Sequence, residues 1–267
     1  MYINEQYKDL ELIVHEPINT IFRDGQNAAS EEAVLTEHLM DVYINERLTM
    51  KLVCTPQYLA ELVLGRLFSE GIIKNTEDVE SIYICEYGTR AKVMLKNASL
   101  ALDDTYVETT PSCCTGNRTL CARRETKNEL PTIPFVPWKA EWIFNLADRF
   151  GEGTPLHRET WATHSCFLAR RGQLLFQCED IGRHNALDKV IGYALRHDIP
   201  LSDCIVYSSG RIPVDMISKV IRAGIPILAS KAVPTNEAIR LAKAHGITLI
   251  CSARRDQMKI YTGQQPS

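Results

Sequence analysis

Residues 204–251 read CIVYSSGRIPVDMISKVIRAGIPILASKAVPTNEAIRLAKAHGITLIC. Three short apolar runs, Cys204–Ser208, Ile225–Ala229 and Ile247–Cys251, alternate with two stretches of helical periodicity, Val214–Ala223 and Asn236–His245. Gly246 stops the second helix. Strands joined through helices imply a largely parallel sheet, with ligands outside the carboxyl ends of its strands. Upstream, Leu187, Val190, Ile191, Ala194 and Leu195 make one face of a strong helix. Before it, His164–Ala169 and Gln173–Cys178 read as a hairpin turning at Arg170-Arg171-Gly172, preceded by a helix near Trp138–Phe150 that Gly151 closes. Downstream, Gln257–Tyr261 reads as a last strand.

The other half has a different texture. Residues 10–54 read mainly as strands, and Met40–Cys54 alternates apolar and polar residues about a turn near Asn45-Glu46. Thr55-Pro56 reads as an N-cap with proline at the first helical position, before Leu59, Leu62, Val63 and Leu67 at helical spacing and a stop at Gly71. Val79–Glu86 and Arg90–Lys96 form a second hairpin across Tyr87-Gly88-Thr89. This half is a mixed unit rich in antiparallel strands. From about Ala98 to Pro137 periodicity disappears, and a segment of that length in a compact protein is usually functional or disordered. The expected class is α/β, α+β over the whole chain. A strand-rich N-terminal domain spans 1–110, a cysteine-bearing linker 111–137 and a three-layer α/β cofactor-binding domain 138–267.

Composition excludes several functions. The chain has 267 residues, 45% hydrophobic and 24% charged, with net charge -3. No basic footprint of a nucleic-acid binder is present, and no apolar run approaches the roughly 20 residues that span a bilayer. The N-terminus MYINEQYKDLELIV lacks a signal-peptide pattern, so a cytoplasmic location is expected, without membrane or nucleic-acid partners. Nine cysteines, an odd number, argue against a disulfide framework. Cys54, Cys85, Cys204 and Cys251 sit in apolar runs and read as small buried hydrophobes. Cys113, Cys114 and Cys121 lie among polar and basic residues.

Four clusters carry candidate chemistry. Cys113 is followed by Arg118, Arg123, Arg124 and Lys127, charges that favour a thiolate; incidental cysteines in a solvated loop are the plain alternative. Glu179-Asp180-Ile181-Gly182-Arg183-His184-Asn185 stands between a strand and the strongest helix. Asp180, Arg183 and His184 there either hold a polar ligand or make an ordinary helix start, with Asp180 as cap and the cations on a solvated face. Ser208-Ser209-Gly210-Arg211 follows a strand and precedes a helix. Ser209 and Gly210 let backbone N–H groups approach an anion and Arg211 can grip a phosphate, or the segment is a tight turn. Ser252, Ala253, Arg254, Arg255, Asp256 and Gln257 form either a second anion grip or a charged hairpin. There is no C-x-x-C pair, and His164-Ser165-Cys166 lacks the rest of the zinc deaminase signature, so no structural zinc is expected.

These clusters, in this order, resemble the FdhD/NarQ family of formate dehydrogenase accessory sulfurtransferases, from about residue 33 to Thr262. The resemblance is carried by CTPQYLAELVLGRLFSEGII (54–73), EDIGRHNALDKVIGYAL (179–195), SSGR (208–211), KVIRAGIPIL (219–228), PTNEAIRLA (234–242) and KIYTG (259–263). It implies a sulfurtransferase that takes persulfide sulfur from a cysteine desulfurase. The sulfur goes to a molybdenum bis(molybdopterin guanine dinucleotide) cofactor, as formate dehydrogenase requires. It also implies a cytidine-deaminase-like second domain without the zinc site, and a homodimer is expected. The family's persulfide cysteine lies in an S-C-G-x-C-G motif. Here Cys113 matches the first cysteine, but Gly116 stands at the second. Cys114 is a poor replacement, because vicinal cysteines close only a strained ring. Cys121, beyond the turn-permitting Gly116-Asn117, is the candidate second thiol; the alternative is that one cysteine suffices and Cys121 is incidental. The family's cofactor-binding stretch corresponds to Ser252 through Gln257, with Gln257 in place of its closing arginine. His164 matches a family histidine, with Ala162 and Thr163 where glycines usually stand. The runner-up is a non-catalytic chaperone for the cofactor; a third reading is a nucleotide-processing enzyme of deaminase ancestry, disfavoured by the absent zinc ligands.

Overall fold

The computed structural model describes residues 1–97, 108–110 and 130–267. Alternation in 38–54 folds into β4 (His38–Ile44) and β5 (Arg47–Cys54), whose tight turn places Asn45 and Glu46 at φ 47° and 65°. Met40, Val42 and Ile44 point inward as period 2 requires. After helix α1 (Leu59–Ser69), a second hairpin joins β6 (Val79–Ile84) to β7 (Arg90–Leu95). With β1 (Tyr2–Glu5) and β8 (Glu108–Thr110), these strands form a six-stranded sheet in the order β1-β6-β7-β4-β5-β8. The hairpins are antiparallel, but β1 pairs parallel with β6, β4 with β7 and β5 with β8. The sheet is therefore mixed rather than mainly antiparallel, because the chain passes through α1 between its two hairpins. β2 (Ile13–Ile21) and β3 (Asn27–Leu35) form a separate, largely exposed ribbon.

The second half is a six-stranded sheet covered on both faces. It contains β9 (His164–Arg170), β10 (Gln173–Asp180), β11 (Cys204–Ser208), β12 (Ile227–Ser230), β13 (Thr248–Cys251) and β14 (Lys259–Thr262), ordered β10-β9-β11-β12-β13-β14. Four strands, β10, β11, β12 and β13, run in one direction, while β9 and β14 run against them. Only two of the five neighbouring pairings are parallel. The expected hairpin at Arg170-Arg171-Gly172 pairs β9 antiparallel with β10, and the return after β13 adds β14 antiparallel, so the sheet is less parallel than its helix-linked strands imply.

Alternate strand residues feed two separate cores. Cys166, Leu168, Val206, Leu228 and Leu249 pack with α4 (Arg183–Arg196), α5 (Val214–Arg222) and α6 (Asn236–His245). Phe167, Ala169, Ile205, Tyr207 and Ile250 pack with Trp138 and α2 (Ala140–Gly151). Burial on both faces explains why these strands read as unbroken apolar runs. Residues 130–138 lie against this half, with Ile133 buried and its N–H bonded to His245 O at 2.8 Å. No described helix is long and apolar enough to cross a membrane.

The two sheets meet where α1 crosses α4. A Cβ on Gly65 would overlap the carbonyl of Asp188, and one on Gly192 the carbonyl of Glu61. Each glycine thus faces the other helix's backbone, which cannot retreat as a side chain can. Replacing Gly65 or Gly192 by alanine is expected to cost about 3 kcal/mol, at the top of the usual overpacking range, and to lower the thermal midpoint by roughly 6–12 °C. A Gly65→Ala protein melting with the wild type in scanning calorimetry would show that the helices can move apart freely.

Candidate functional site

Thr55 does not cap the helix that follows it. That helix begins at Leu59, behind Tyr58 in the left-handed conformation, because Thr55 is drawn into the other half of the molecule. Its N–H and hydroxyl donate to Asp180 Oδ2 at 3.1 and 3.2 Å, and its hydroxyl also reaches Glu179 O at 3.1 Å. Asp180, fully buried, further accepts from Gly182 N and Asn185 Nδ2, both at 2.9 Å, and pairs with Lys189 Nζ at 2.7 Å. Lys189, equally buried, also bonds Thr55 Oγ1 at 2.8 Å and the Glu179 carbonyl at 3.1 Å. The acidic-basic motif at 179–189 is in large part a clasp between the halves. Asp180, a candidate ligand residue, has its carboxylate occupied internally.

Glu179 is bound just as fully. It accepts from Thr154 Oγ1, Thr163 Oγ1, Leu156 N and His157 N at 2.5–2.9 Å, anchoring the short helix α3 (Pro155–Thr160) over the sheet edge. Asp188 faces the other way. It accepts from Ser69 at 2.7 Å and Lys219 at 2.5 Å and lies 3.6 Å from Arg66, linking α1, α4 and α5.

The carboxyl ends of β10, β11, β12 and β13 share one edge, and their loops are stitched together. Ser209 N donates to Ser165 O at 3.0 Å, Lys231 N to Ser208 O at 3.0 Å and Ala253 N to Ser230 O at 3.0 Å. Ser230 Oγ donates to Gly210 O at 2.7 Å, and Tyr207 OH to Ala253 O at 2.7 Å. Gly210 N is taken by Ser208 Oγ at 3.2 Å. The backbone cradle envisaged at 209–210 is therefore turned inward, its amides bonded within the protein. Arg211, Lys231 and Arg254 stand exposed on these loops. Arg255, also exposed, leans toward α2, with Nε 3.8 Å from Asp148 Oδ1. Ser252, at φ 48°, Asp256 and Gln257 complete the last loop, which the Arg254 N to Gln257 O bond closes at 2.7 Å.

Arg183 and His184 are buried, not on a solvated helix face. Arg183 lies across Gly210, where a Cβ would stand 2.7 Å from its Cδ. His184 Nε2 is 2.6 Å from Asp215 Oδ2 at the start of α5. Burial lowers the His184 pKa, and the Asp215 partner only partly opposes it. Burial opposes the Asp215 carboxylate as well, but the His184 hydrogen bond and the charges of His184 and Arg183 outweigh it and hold its pKa low. His164 Nδ1 lies 2.9 Å from Ser209 Oγ, which also accepts from Ser165 N. Burial and then the charges of Arg183, His184 and His157 lower the His164 pKa, against Asp180. His164 was noted in the sequence as matching a family histidine but was given no role, and Asp215 was not noted at all, since its pairing with His184 has no local signal.

Cys113, Cys114 and Cys121 lie outside the described residues. Cys54, Cys204 and Cys251 are buried as expected, with burial pushing the thiols up, to about 11 for Cys204 and about 12 for Cys251. Cys85 departs from that expectation. It sits half-buried where its hairpin turns; burial opposes its thiolate, but bonds from the Thr89 hydroxyl and the amides of Arg90, Tyr87 and Thr89 prevail and lower its pKa. Among the described residues no group of three or more His, Cys, Asp or Glu side chains converges as metal ligands do.

The sequence profile of the FdhD/NarQ family matches residues 35–266. The chain belongs to the FdhD/NarQ family. Among relatives of this FdhD/NarQ chain, the sulfur carrier protein FdhD of Bacillus pumilus is 33% identical over 91% of the chain and 94% of its own length. The protein of the same name from Listeria monocytogenes serotype 4b is 30% identical, with 95% and 98% covered. The crystal structure of a formate dehydrogenase accessory protein from Desulfotalea psychrophila superposes with a TM-score of 0.76 at 26% identity, over 95% of this chain and 98% of that one.

Two outcomes follow for this FdhD/NarQ fold. Lys189→Met strands the buried Asp180 charge and should cost about 3–5 kcal/mol in urea unfolding, with partial recovery in Asp180→Asn/Lys189→Met. A single variant as stable as the wild type would dissolve the clasp. His164 and His184 have folded pKa values below their ordinary 6.5, so the unfolded state takes up protons first. Stability is therefore lost as pH falls from about 7 toward 5, while Asp215 keeps contributing until pH drops below its ordinary carboxylate range. Melting curves across that range should show the decline, and His184→Gln should flatten it.

Proposed function

We propose that this protein is a sulfur carrier that moves persulfide sulfur from a cysteine desulfurase to a molybdenum bis(molybdopterin guanine dinucleotide) cofactor destined for formate dehydrogenase. The observation that carries this reading is the family match along 35–266, together with relatives named as sulfur carriers over nearly their whole length. The nucleotide-bearing cofactor is cargo. Its phosphates suit the exposed Arg211 and Arg254 at the carboxyl edge, since arginine–phosphate bonds are charge-assisted and each contributes about 1.5–3 kcal/mol. Arg183, beside Gly210, adds positive charge behind the same loop. Asp180 and His184 act from beneath, holding the α4 end and the start of α5 in place.

Cys113 carries the sulfur in this reading. β8 ends at Thr110, paired with Leu52, three residues before the Thr55 that is bonded to Asp180 at the carboxyl edge. The Cys113 thiolate attacks the terminal sulfur of the desulfurase persulfide, and the desulfurase thiolate leaves. Releasing that sulfur as sulfide needs two electrons. A Cys121 thiolate supplies them by attacking the inner sulfur of the Cys113 persulfide: a Cys113–Cys121 disulfide forms, HS⁻ departs, and the sulfane sulfur is reduced as the thiols are oxidised. The chaperone reading, in which the protein binds and hands over the cofactor without carrying sulfur, is favoured by one observation, Gly116 where the family has its second cysteine.

Incubation with a desulfurase and cysteine should add 32 mass units to the peptide containing Cys113, by the mass of one sulfur atom, about 32 Da. Cys113→Ala should abolish both the adduct and formate dehydrogenase maturation. Full maturation by Cys113→Ala would establish the chaperone reading instead. Cys121→Ser should keep the adduct but slow its delivery; delivery at the wild-type rate would remove Cys121 from the mechanism.

A further inference from the structure

Trp161 closes α3 in the left-handed conformation, φ 56° and ψ 12°, a place where a bulky side chain is strained and glycine is not. The residue is 77% exposed, and its ring makes one described aromatic contact, edge-on to His157 at 5.3 Å. A strained backbone that presents a large aromatic ring to solvent has no stabilising purpose in the fold itself, and such residues gather at binding sites.

The position of Trp161 is specific. Two residues separate it from His164, whose ring touches Ser209 in the 208–211 loop. β9 begins there antiparallel to β11, with Cys166 opposite Ser208, so the 161–163 segment emerges at the carboxyl edge, on the side of the 208–211 loop that carries Arg211. The support beneath it is rigid. Glu179 holds the amides of Leu156 and His157 and the hydroxyl of Thr163, and His157 Nδ1 lies 3.1 Å from Thr163 O. The ring is thus anchored at its base and open on a face.

We infer that Trp161 is a stacking platform for the planar heterocycle of a purine nucleotide whose phosphates engage Arg211. This rests on the proposed reading of the carboxyl edge as the anion-binding side. The arginine grips the charge but cannot tell a nucleotide from any other phosphate. The indole supplies selectivity for a ligand with a flat aromatic base.

Guanosine diphosphate and inorganic pyrophosphate are the two probes, titrated by calorimetry and by tryptophan fluorescence into the full chain. Trp138 is buried and Trp142 half-buried beneath Gly172, so Trp161 is the tryptophan a ligand base can quench. Guanosine diphosphate should quench wild-type emission. Trp161→Gly should weaken it roughly tenfold or more, Trp161→Phe only slightly, and pyrophosphate should bind both variants as it binds the wild type. Because glycine relieves the positive φ, Trp161→Gly should melt no lower than the wild type, which separates lost stacking from lost folding. If Trp161→Gly binds guanosine diphosphate normally while Arg211→Ala does not, the platform is overturned and the anion site stands. If neither probe binds the wild type, the anion reading of this edge fails and the platform falls with it.

Discussion

The Asp180 carboxylate, shut away from solvent, gathers donors from Thr55, Gly182, Asn185 and Lys189, and both halves of the molecule hang on it. An ionised carboxylate in such a place is tolerable only when every lone pair is answered. The donors come from three directions: the end of β5, the turn before α4, and one turn further along α4. Satisfying the charge therefore fixes the angle at which the N-terminal sheet meets the C-terminal one. The glycine-to-backbone contacts between α1 and α4 are compatible with that angle and with few others. Asp188, pointing to the opposite side of α4, ties α1 to α5 in the same manner.

Much of the fold was legible because its periodicities are clean. The strands 204–208 and 248–251 show as apolar runs since both faces are covered, and α4 and α6 show as helical faces. What the sequence concealed is long-range. Thr55 followed by proline has every local property of a helix cap, yet a carboxylate 125 positions away claims it. The direction of β14 depends on how the chain turns after β13, which periodicity does not report. The parallel joins of the N-terminal sheet depend on how the chain returns after α1.

The candidate site was legible in a different sense. The motifs were found, but composition does not distinguish a ligand-binding charge from a buried structural one. Glu179 and Asp180 look like groups for holding a polar ligand in one dimension and turn out to be fastenings for α3 and for the two sheets. Ser209 and Gly210 look like a phosphate loop, yet their amides are committed to Ser165 and Ser208. The exposed arginines remain as the groups able to meet an anion. The role of His164 and the presence of Asp215, which shape the edge from beneath, were hidden because their partners lie far along the chain.

Cys85 has a practical bearing on how the thiols of this protein are counted. Its sulfur is part-exposed, and four hydrogen-bond donors favour its thiolate, whereas burial holds Cys54, Cys166, Cys178 and Cys251 in the protonated form. Under mild alkylation of the native chain it reacts before any of those buried thiols. A bulk titration of free thiols before and after sulfur loading therefore carries a constant contribution from the β6–β7 turn. Only peptide-resolved measurement, or a Cys85→Ser background, turns that total into an occupancy of a single cysteine.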